Sequence, residues 1–294
     1  MKRTPGAWLL LAALAPLVTA GCEQSPEPGT RPLVVASVFP LYEFARQVAG
    51  DRAKVVSLVP AGVEPHDWEP SPQDIAQVRR ARLFVYNGAG FEPWALKLQA
   101  DLAGKATTVI SATAGLPLQT GDPHVWLDPV LAQSQVETIR AALALADPAG
   151  AAGYADNARA FTAKLAELND RFEAGLRDCA RREVVVSHAA FGYLTRRYRL
   201  VQLPVMGLAP ESEPSPAALA AIVRLARQRK VEAVFFETLV SRRLADTLAR
   251  EIGARTLVLN PIEGLTREEA ATGKGYLDLM MANLASLRDG LGCR

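Results

Sequence analysis

Short β-branched runs alternate with longer segments of helical periodicity, and this alternation occurs twice along the chain. Eight runs are candidate strands: 33–38, 54–59, 83–87, 107–111, 183–187, 201–205, 231–237 and 255–260. Four intervening segments have the apolar spacing of helices: 41–50, 72–81, 217–228 and 241–253. Strands that alternate with helices form parallel sheets joined by right-handed crossovers. The pattern therefore predicts an α/β fold.

Two stretches resemble copies of each other. The first, EPSPQDIAQVRR, begins at Glu69, and the second, EPSPAALAAIVR, begins at Glu213. In each, a serine (Ser71 or Ser215) can cap a helix that has proline at its first position. This internal repeat predicts two similar lobes, each a parallel sheet flanked by helices.

A long segment without proline separates the two blocks. Its apolar residues recur at helical spacing: Ala155, Ala158, Phe161, Leu165, Leu168 and Phe172. A helix of about 25 residues would extend nearly 40 Å, so this segment is predicted to be a rigid strut that limits lobe closure. We therefore expect an N-terminal lobe over 33–150, a linking helix over 151–178 and a C-terminal lobe over 179–294.

The first 22 residues are typical of an export signal. Two basic residues precede an uncharged run from Ala7 to Val18, which is too short to span a hydrocarbon core of about 30 Å. The following TAGC resembles a bacterial lipoprotein processing site with Cys22 as the lipidated residue; ordinary secretory cleavage nearby is the alternative. Residues 23–32 are predicted to be a flexible tether. We expect an exported protein, periplasmic or on the cell surface, that is anchored to the membrane through Cys22.

Cysteine content and charge narrow the function further. Besides Cys22 the chain has Cys179 and Cys293, and two cysteines in an exported protein suggest a disulfide, although the sequence leaves their pairing open. The net charge of +2 comes from 33 basic and 31 acidic residues without a basic stripe. Nucleic-acid binding is therefore not expected.

The chain has only three histidines, and each lies in a loop beyond a candidate strand. They are His66, His124 and His188. A single loop histidine is ordinarily a surface residue, but ligands of open parallel sheets bind at the carboxyl ends of the strands. The spacing fits no local zinc-finger or helical motif. A metal site built from these residues must therefore be assembled by the tertiary fold.

Four motifs in order resemble the solute-binding proteins of zinc and manganese ABC transporters, the cluster A-I family. They are VEPHDWEPSPQD, DPHVWLDP, VVVSHAAFGYL and LNPIEGLTREEAATGKGYLDLMMANLASL. The similarity extends from about residue 33 to the end of the chain. It implies two lobes joined by one long helix, a transition-metal ion bound between them, and delivery of that ion to an ABC permease. It also implies a transport receptor, which we expect to be a monomer, and not an enzyme.

The resemblance implies four metal ligands. The motif histidines are His66, His124 and His188, and a histidine at the third position resembles the zinc-binding branch. Many relatives have Asp where this chain has Asn260, but those with NPIEGLT use its glutamate, which is Glu263 here. Three imidazoles and a carboxylate suit one tetrahedral Zn²⁺ per chain. The alternative is the same role for Mn²⁺ or Fe²⁺, although manganese prefers sets richer in oxygen.

Two further expectations concern the surroundings of the ion. Metal-bound histidines donate their second ring N–H to an acceptor, and the candidates are Asp67, Asp128, Glu237 and backbone carbonyls. A zinc-dependent hydrolase or lyase is a less favoured reading, in which Glu263 would be a base beside an open coordination position. The chain has no HExxH motif, which disfavours that reading.

Overall fold

Two four-stranded parallel sheets with the same strand order form the framework of the protein. The computed structural model describes residues 31–208 and 215–294. The strands are β1 (Leu33–Ala36), β2 (Lys54–Ser57), β3 (Leu83–Tyr86), β4 (Thr108–Ser111), β5 (Glu183–Val186), β6 (Val201–Pro204), β7 (Ala233–Phe236) and β8 (Arg255–Val258). The sheet orders are β2-β1-β3-β4 and β6-β5-β7-β8, and all neighbouring strands are parallel. This architecture confirms the predicted fold class.

The described part of the chain contains ten α-helices. They are α1 (Phe39–Ala49), α2 (Pro72–Arg80), α3 (Pro93–Leu102), α4 (Pro129–Ala146), α5 (Ala151–Arg177), α6 (Gly192–Arg197), α7 (Pro216–Gln228), α8 (Arg243–Ile252), α9 (Arg267–Ala271) and α10 (Tyr276–Leu291). None of these helices has both the length and the apolar character needed to cross a bilayer. The predicted signal peptide, Cys22 and most of the tether lie outside the described residues, as do Glu213 and Pro214 of the second repeat.

The central strands account for the apolar runs in the sequence. In β1, β3, β5 and β7 nearly every residue is buried, whereas the edge strands are only partly buried. Strands covered by helices on both faces require continuous apolar residues. The first helix of the repeat begins where its capping signal predicts, because Ser71 and Asp74 each accept a hydrogen bond from the other's backbone N–H.

Helix α5 runs between the lobes as a continuous strut. Its 27 residues span about 40 Å, and it packs against α1, α4 and α10. Phe161 of α5 contacts the first lobe, where its ring lies 5.9 Å from that of Phe44. Phe172 of α5 contacts the second lobe, where its ring stacks on Tyr198 at 5.1 Å. The buried stripe begins with Tyr154, not with Ala155, which is only partly buried.

Helix α10 is a second connection that the sequence analysis did not identify. At its start, Tyr276 packs on Phe44 at 5.0 Å, and its hydroxyl donates to the Trp126 carbonyl at 2.5 Å, both in the first lobe. Near its end, α10 lies so close to the second sheet that a Cβ on Gly290 would be 2.5 Å from the Phe235 ring. A disulfide joins Cys179, just beyond α5, to Cys293, just beyond α10. Two helices and their covalent link therefore tie the lobes together.

Candidate metal centre

The three histidines and Glu263 converge at the carboxyl ends of the strands, between the two sheets. His66 lies in a short 3-10 turn beyond β2, and His124 lies directly before another such turn that leads into α4. His188 follows β5 by two residues, and Glu263 lies in the loop between β8 and α9. Both lobes thus contribute side chains to one cluster.

The nitrogen and oxygen atoms of the cluster lie close enough together to surround one ion. Oε1 of Glu263 lies 2.9 Å from Nε2 of His124 and 3.4 Å from Nε2 of both His66 and His188. Nε2 of His66 and Nε2 of His124 are 3.4 Å apart, and the four atoms all lie within 4.8 Å of one another. Zinc bonds of 2.0–2.1 Å in a tetrahedron place ligand atoms about 3.3 Å apart. Four such atoms can therefore hold one ion after only small adjustments.

The cluster is buried, and within the described part of the chain some of its polar atoms lack the hydrogen-bond partner that a bound cation would replace. His124 and His188 have no exposed side-chain surface and Glu263 has 1%, whereas His66 retains 12%. Within residues 31–208 and 215–294, both ring nitrogens of His188 and Oε1 of Glu263 have no aligned hydrogen-bond partner, although Nδ1 lies 2.7 Å from Glu237. Nε2 of His188 and Oε1 of Glu263 are the atoms that face the cluster. Buried polar groups are normally paired, so these two atoms fit a site that binds a metal ion.

Carboxylates orient the two fully buried histidines. Oδ1 of Asp122 lies 2.8 Å from Nδ1 of His124 and also accepts its backbone N–H at 2.9 Å. Oε2 of Glu237, at the end of β7, lies 2.7 Å from Nδ1 of His188. In both cases the carboxylate faces Nδ1, which leaves Nε2 for the metal. Asp122 was not among the predicted residues, although an aspartate that accepts the N–H two residues on is a common turn signal.

Asp128 and Asp67 do not have the supporting role that was predicted for them. Asp128 caps α4, where it accepts the Val130 N–H at 2.9 Å, and it pairs with Arg197 at 2.8 Å. The 3-10 turn after His124 places Asp128 at the start of the helix and away from the imidazole. Asp67 is exposed at the protein surface.

Two aromatic side chains form a wall beside the cluster. The buried Trp126 ring lies 5.4 Å from His124, and its Nε1 donates to the Pro261 carbonyl at 2.8 Å. The Phe91 ring lies 4.6 Å from His66 and 6.1 Å from His124. These two rings place apolar surface beside the histidines, and the indole N–H of Trp126 also bonds the loop that carries Glu263.

Asn260 supports the Glu263 loop and does not reach the cluster. Its Oδ1 accepts the backbone N–H of Ile262 at 2.7 Å, and its own N–H donates to Asn283 at 2.8 Å. Ile262 has a φ of +60°, which is costly for a β-branched residue. The Glu263 carbonyl also accepts the Phe39 N–H of the first lobe at 3.3 Å. These bonds hold a strained turn that directs Glu263 toward the histidines.

In the metal-free site, the neighbouring carboxylates raise the pKa values of two histidines, so protons occupy ring nitrogens that would otherwise bind a metal. Burial lowers the pKa of His188, but contacts with Glu237 and Glu263 outweigh burial and raise that pKa to about 10. Burial likewise lowers the pKa of His124, and contacts with Asp122 and Glu263 raise it above its usual value. Burial raises the pKa of Glu263, but the three imidazoles bring it well below its usual range. Glu263 is therefore an anion beside protonated histidine.

A second carboxyl group, Glu64, lies near the cluster. It accepts the backbone N–H of His66 at 3.4 Å. Burial and then the negative charge of Glu263 raise the pKa of Glu64 to about 9. Glu64 is consequently neutral at pH 7 in the metal-free protein, which leaves Glu263 as the anion of the cluster.

Comparisons with known proteins agree with this geometry. Residues 34–290 match the family described as "Zinc-uptake complex component A periplasmic" (ZnuA). The high-affinity zinc uptake system protein ZnuA of Bacillus subtilis (strain 168) is 39% identical over 97% of this chain and 94% of its own length. The zinc-binding lipoprotein AdcA of Streptococcus pneumoniae is 37% identical over 95% of this chain, which spans only 60% of that protein. The crystal structure of the Zn(II)-bound ZnuA-like domain of AdcA has a TM-score of 0.81 at 39% identity, covering 89% of this chain and 99% of that one. This chain therefore belongs to the family of the periplasmic component A of the zinc-uptake complex.

Proposed function

We propose that this protein is an extracytoplasmic receptor that captures Zn²⁺ between its lobes and delivers it to an ABC permease for high-affinity import. The observation that carries the proposal is that the Nε2 atoms of all three histidines lie within 3.4 Å of Oε1 of Glu263, close to the spacing of ligand atoms around one tetrahedral zinc ion. Family membership supports the transport role, since the relatives described above are named for zinc uptake or zinc binding.

The proposed ligands are His66, His124, His188 and Glu263, with one ion per chain. Three neutral imidazoles and one carboxylate around Zn²⁺ leave the bound site at about +1, a charge that the carboxylates of Asp122 and Glu237 offset. Mn²⁺ and Fe²⁺ are the alternative cargo. The excess of nitrogen over oxygen donors favours zinc, because manganese prefers carboxylate, carbonyl and water ligands.

The same geometry disfavours catalysis. A catalytic zinc keeps one coordination position open for water or substrate, with a separate base nearby. Oε1 of Glu263 lies within 3.4 Å of all three Nε2 atoms, so it is placed to fill the fourth position itself. We infer that the protein transports zinc and is not an enzyme.

We further propose that the chain is exported and anchored to the membrane by a lipid on Cys22. The family description places the zinc-uptake component in the periplasm, and one relative is named a lipoprotein. The Cys179–Cys293 disulfide supports an oxidising compartment. We propose that the lobes comprise residues 33–150 and 179–294 and that the helix over 151–178 links them. We also propose that the protein is a monomer and that its partner is the permease.

A metal titration tests the proposed function. Purified protein is stripped with a chelator, and zinc binding is then measured by calorimetry and by elemental analysis after gel filtration. We expect one zinc per chain, and we expect an excess of Mn²⁺ not to displace it. Binding of much less than one equivalent, or displacement of zinc by manganese at equal concentrations, would contradict the proposal.

Asp122→Asn is expected to weaken zinc binding about tenfold, because loss of a carboxylate partner of a ligand histidine typically costs 10- to 100-fold in metal affinity. The measurement is competition with a chelator of known affinity. Asp67→Asn is the matched control, because it makes the same chemical change on an exposed residue beside His66. Equal effects of the two substitutions would show that Asp122 has no special role.

Zinc binding is expected to release about one to two protons at pH 7.5, because ligand histidines must be neutral. In the metal-free site the pKa of His188 is about 10 and that of His124 is raised, so protons compete with zinc. Affinity should therefore fall as the pH is lowered and rise as the pH increases toward about 10. Calorimetry in two buffers that do not bind zinc but differ in ionisation enthalpy counts the protons. An identical binding enthalpy in both buffers would contradict this expectation, and Glu237→Gln should reduce the number released.

A further inference from the structure

The three histidines of the cluster are held in two different ways. His124 and His188 each have a carboxylate within 2.8 Å of Nδ1. For His66, the most exposed of the four proposed ligands, the described chain places no carboxylate within ion-pairing distance of Nδ1. Its imidazole packs instead against the Phe91 ring, with 4.6 Å between centroids. Packing against an aromatic ring therefore replaces the carboxylate as the support of this ligand.

The loop that carries Phe91 is organised around the buried carboxyl group of the next residue, Glu92. Oε1 of Glu92 accepts the Ser37 hydroxyl at 2.5 Å and the Asn87 N–H at 2.8 Å. Oε2 accepts the Gly88 N–H at 3.0 Å. The Phe91 N–H closes the loop by donating to the Gly88 carbonyl at 3.0 Å. Glu92 thus fixes the first two residues of the loop after β3 and ties them to Ser37 beyond β1.

The same loop is connected to the turn that carries His124. Nδ2 of Asn87 donates at 2.9 Å to the carbonyl of Pro123, the residue directly before His124. Oδ1 of Asn87 accepts from Nε2 of Gln135 in α4 at 3.2 Å. Asn87 is fully buried, and its backbone N–H is bonded to Glu92. One buried polar network therefore aligns the Phe91 loop with the first-lobe part of the site.

We infer that Phe91 is a positioning residue for His66 and that Glu92 acts through Phe91, so that together they set how long the site retains its ion. This inference rests on the proposed function. His66 is the most exposed ligand, so its rotation away from the ion is the easiest first step of dissociation. The Phe91 ring lies tilted at 58° against the imidazole and restricts that rotation. Removal of the ring leaves space into which the imidazole can turn.

The test measures zinc dissociation by stopped-flow mixing with excess chelator. Phe91→Leu is expected to speed dissociation about tenfold, the lower end of the cost of losing a support for a ligand. Phe84→Leu is the matched control, because Phe84 is an equally buried first-lobe aromatic that packs on Tyr86 and Trp94, outside the cluster. Both substitutions should lower thermal stability, but only Phe91→Leu should change the dissociation rate. An unchanged rate for Phe91→Leu, or an equal increase for Phe84→Leu, would overturn the inference.

Glu92→Gln tests the second step of the inference. It should speed dissociation in the same direction, and the Phe91→Leu/Glu92→Gln double variant should be no faster than Phe91→Leu alone, because both act through one ring. If the increase in dissociation rate of the double variant equals the product of the two single increases, Glu92 acts independently of Phe91. That result would overturn this step. If Phe91→Leu does not fold, Phe91→Met provides the same rate comparison.

NMR chemical shifts of the imidazole rings provide a second measurement. The relative shifts of the three rings should not change when a substitution only lowers the stability of the fold. The chain has only three histidines, so we expect a separate signal from each ring. Phe91→Leu should shift the His66 signals more than those of His188, and equal shifts would count against the inference. Wild-type protein that binds no zinc would contradict the proposed function itself, whereas zinc-binding wild type with an unaltered Phe91→Leu rate would contradict only this inference.

Discussion

Replacement of Glu263 by glutamine is expected to weaken zinc binding by more than about a hundredfold. Loss of a carboxylate that only supports a ligand already costs up to about a hundredfold, and loss of a direct anionic ligand should cost more. The substitution keeps the size of the side chain but removes the negative charge from a group that is 1% exposed and lies within 3.4 Å of three imidazoles. Competition with a high-affinity chelator measures the change.

The control for this substitution is Glu268→Gln. Glu268 is exposed in the first turn of α9, five residues beyond Glu263, so the same chemical change should leave zinc affinity unaltered. Retention of wild-type affinity by Glu263→Gln would remove Glu263 from the ligand set and leave the fourth position to water. That result would also support the alternative function, a zinc-dependent hydrolase or lyase whose ion has one coordination position free for water or substrate.

Removal of the disulfide by the double substitution Cys179→Ser/Cys293→Ser is expected to lower the free energy of unfolding by about 4 kcal/mol. The two cysteines are 114 residues apart, and a cross-link across so long a loop strongly restricts the unfolded chain. Guanidinium denaturation of the variant and of oxidised wild type measures the difference.

Zinc stoichiometry should survive loss of the disulfide, because α5 and α10 still pack on each other and on both lobes. Wild type reduced by dithiothreitol provides the control, since it should match the double variant in stability. Equal stability of oxidised wild type and the double variant would show that the bond does not constrain the unfolded chain.

Much of the fold could be predicted from the sequence because its signals are local. The central strands are continuous apolar runs, and the start of α2 is marked by Ser71 and Pro72. Helix α10 was not assigned, although it forms the second connection between the lobes. The role of α10 as a connection depends on contacts such as those of Tyr276 with Phe44 and Trp126, which join residues far apart in the chain. Such contacts cannot be inferred from periodicity.

The candidate site shows the same limit. Strand ends identified the three histidines, and the family resemblance identified Glu263, but no spacing in the sequence gives a distance between them. Asp122 and Asp128 flank His124 in sequence, and only the turn between His124 and α4 determines which carboxylate faces the imidazole. Phe91 was missed because its contact with His66 joins two separate loops.

The two connecting helices and the disulfide support the expectation that lobe closure is limited. The loop carrying Glu263 is also bonded to the first lobe through Trp126 and Phe39. Wide separation of the lobes would break these bonds and expose a buried cluster. We therefore predict that zinc leaves through local movement of the loops around His66, His124 or Glu263. Hydrogen exchange that revealed large-scale separation of the lobes without metal would contradict this prediction.

The most direct test of the central claim is a crystal structure of the zinc-loaded protein with anomalous scattering measured at the zinc edge. The account predicts one anomalous peak, with Nε2 of His66, His124 and His188 and a carboxylate oxygen of Glu263 all at about 2.0–2.2 Å from it. A peak elsewhere in the molecule, or a peak from which any of these four side chains is turned away, would contradict it.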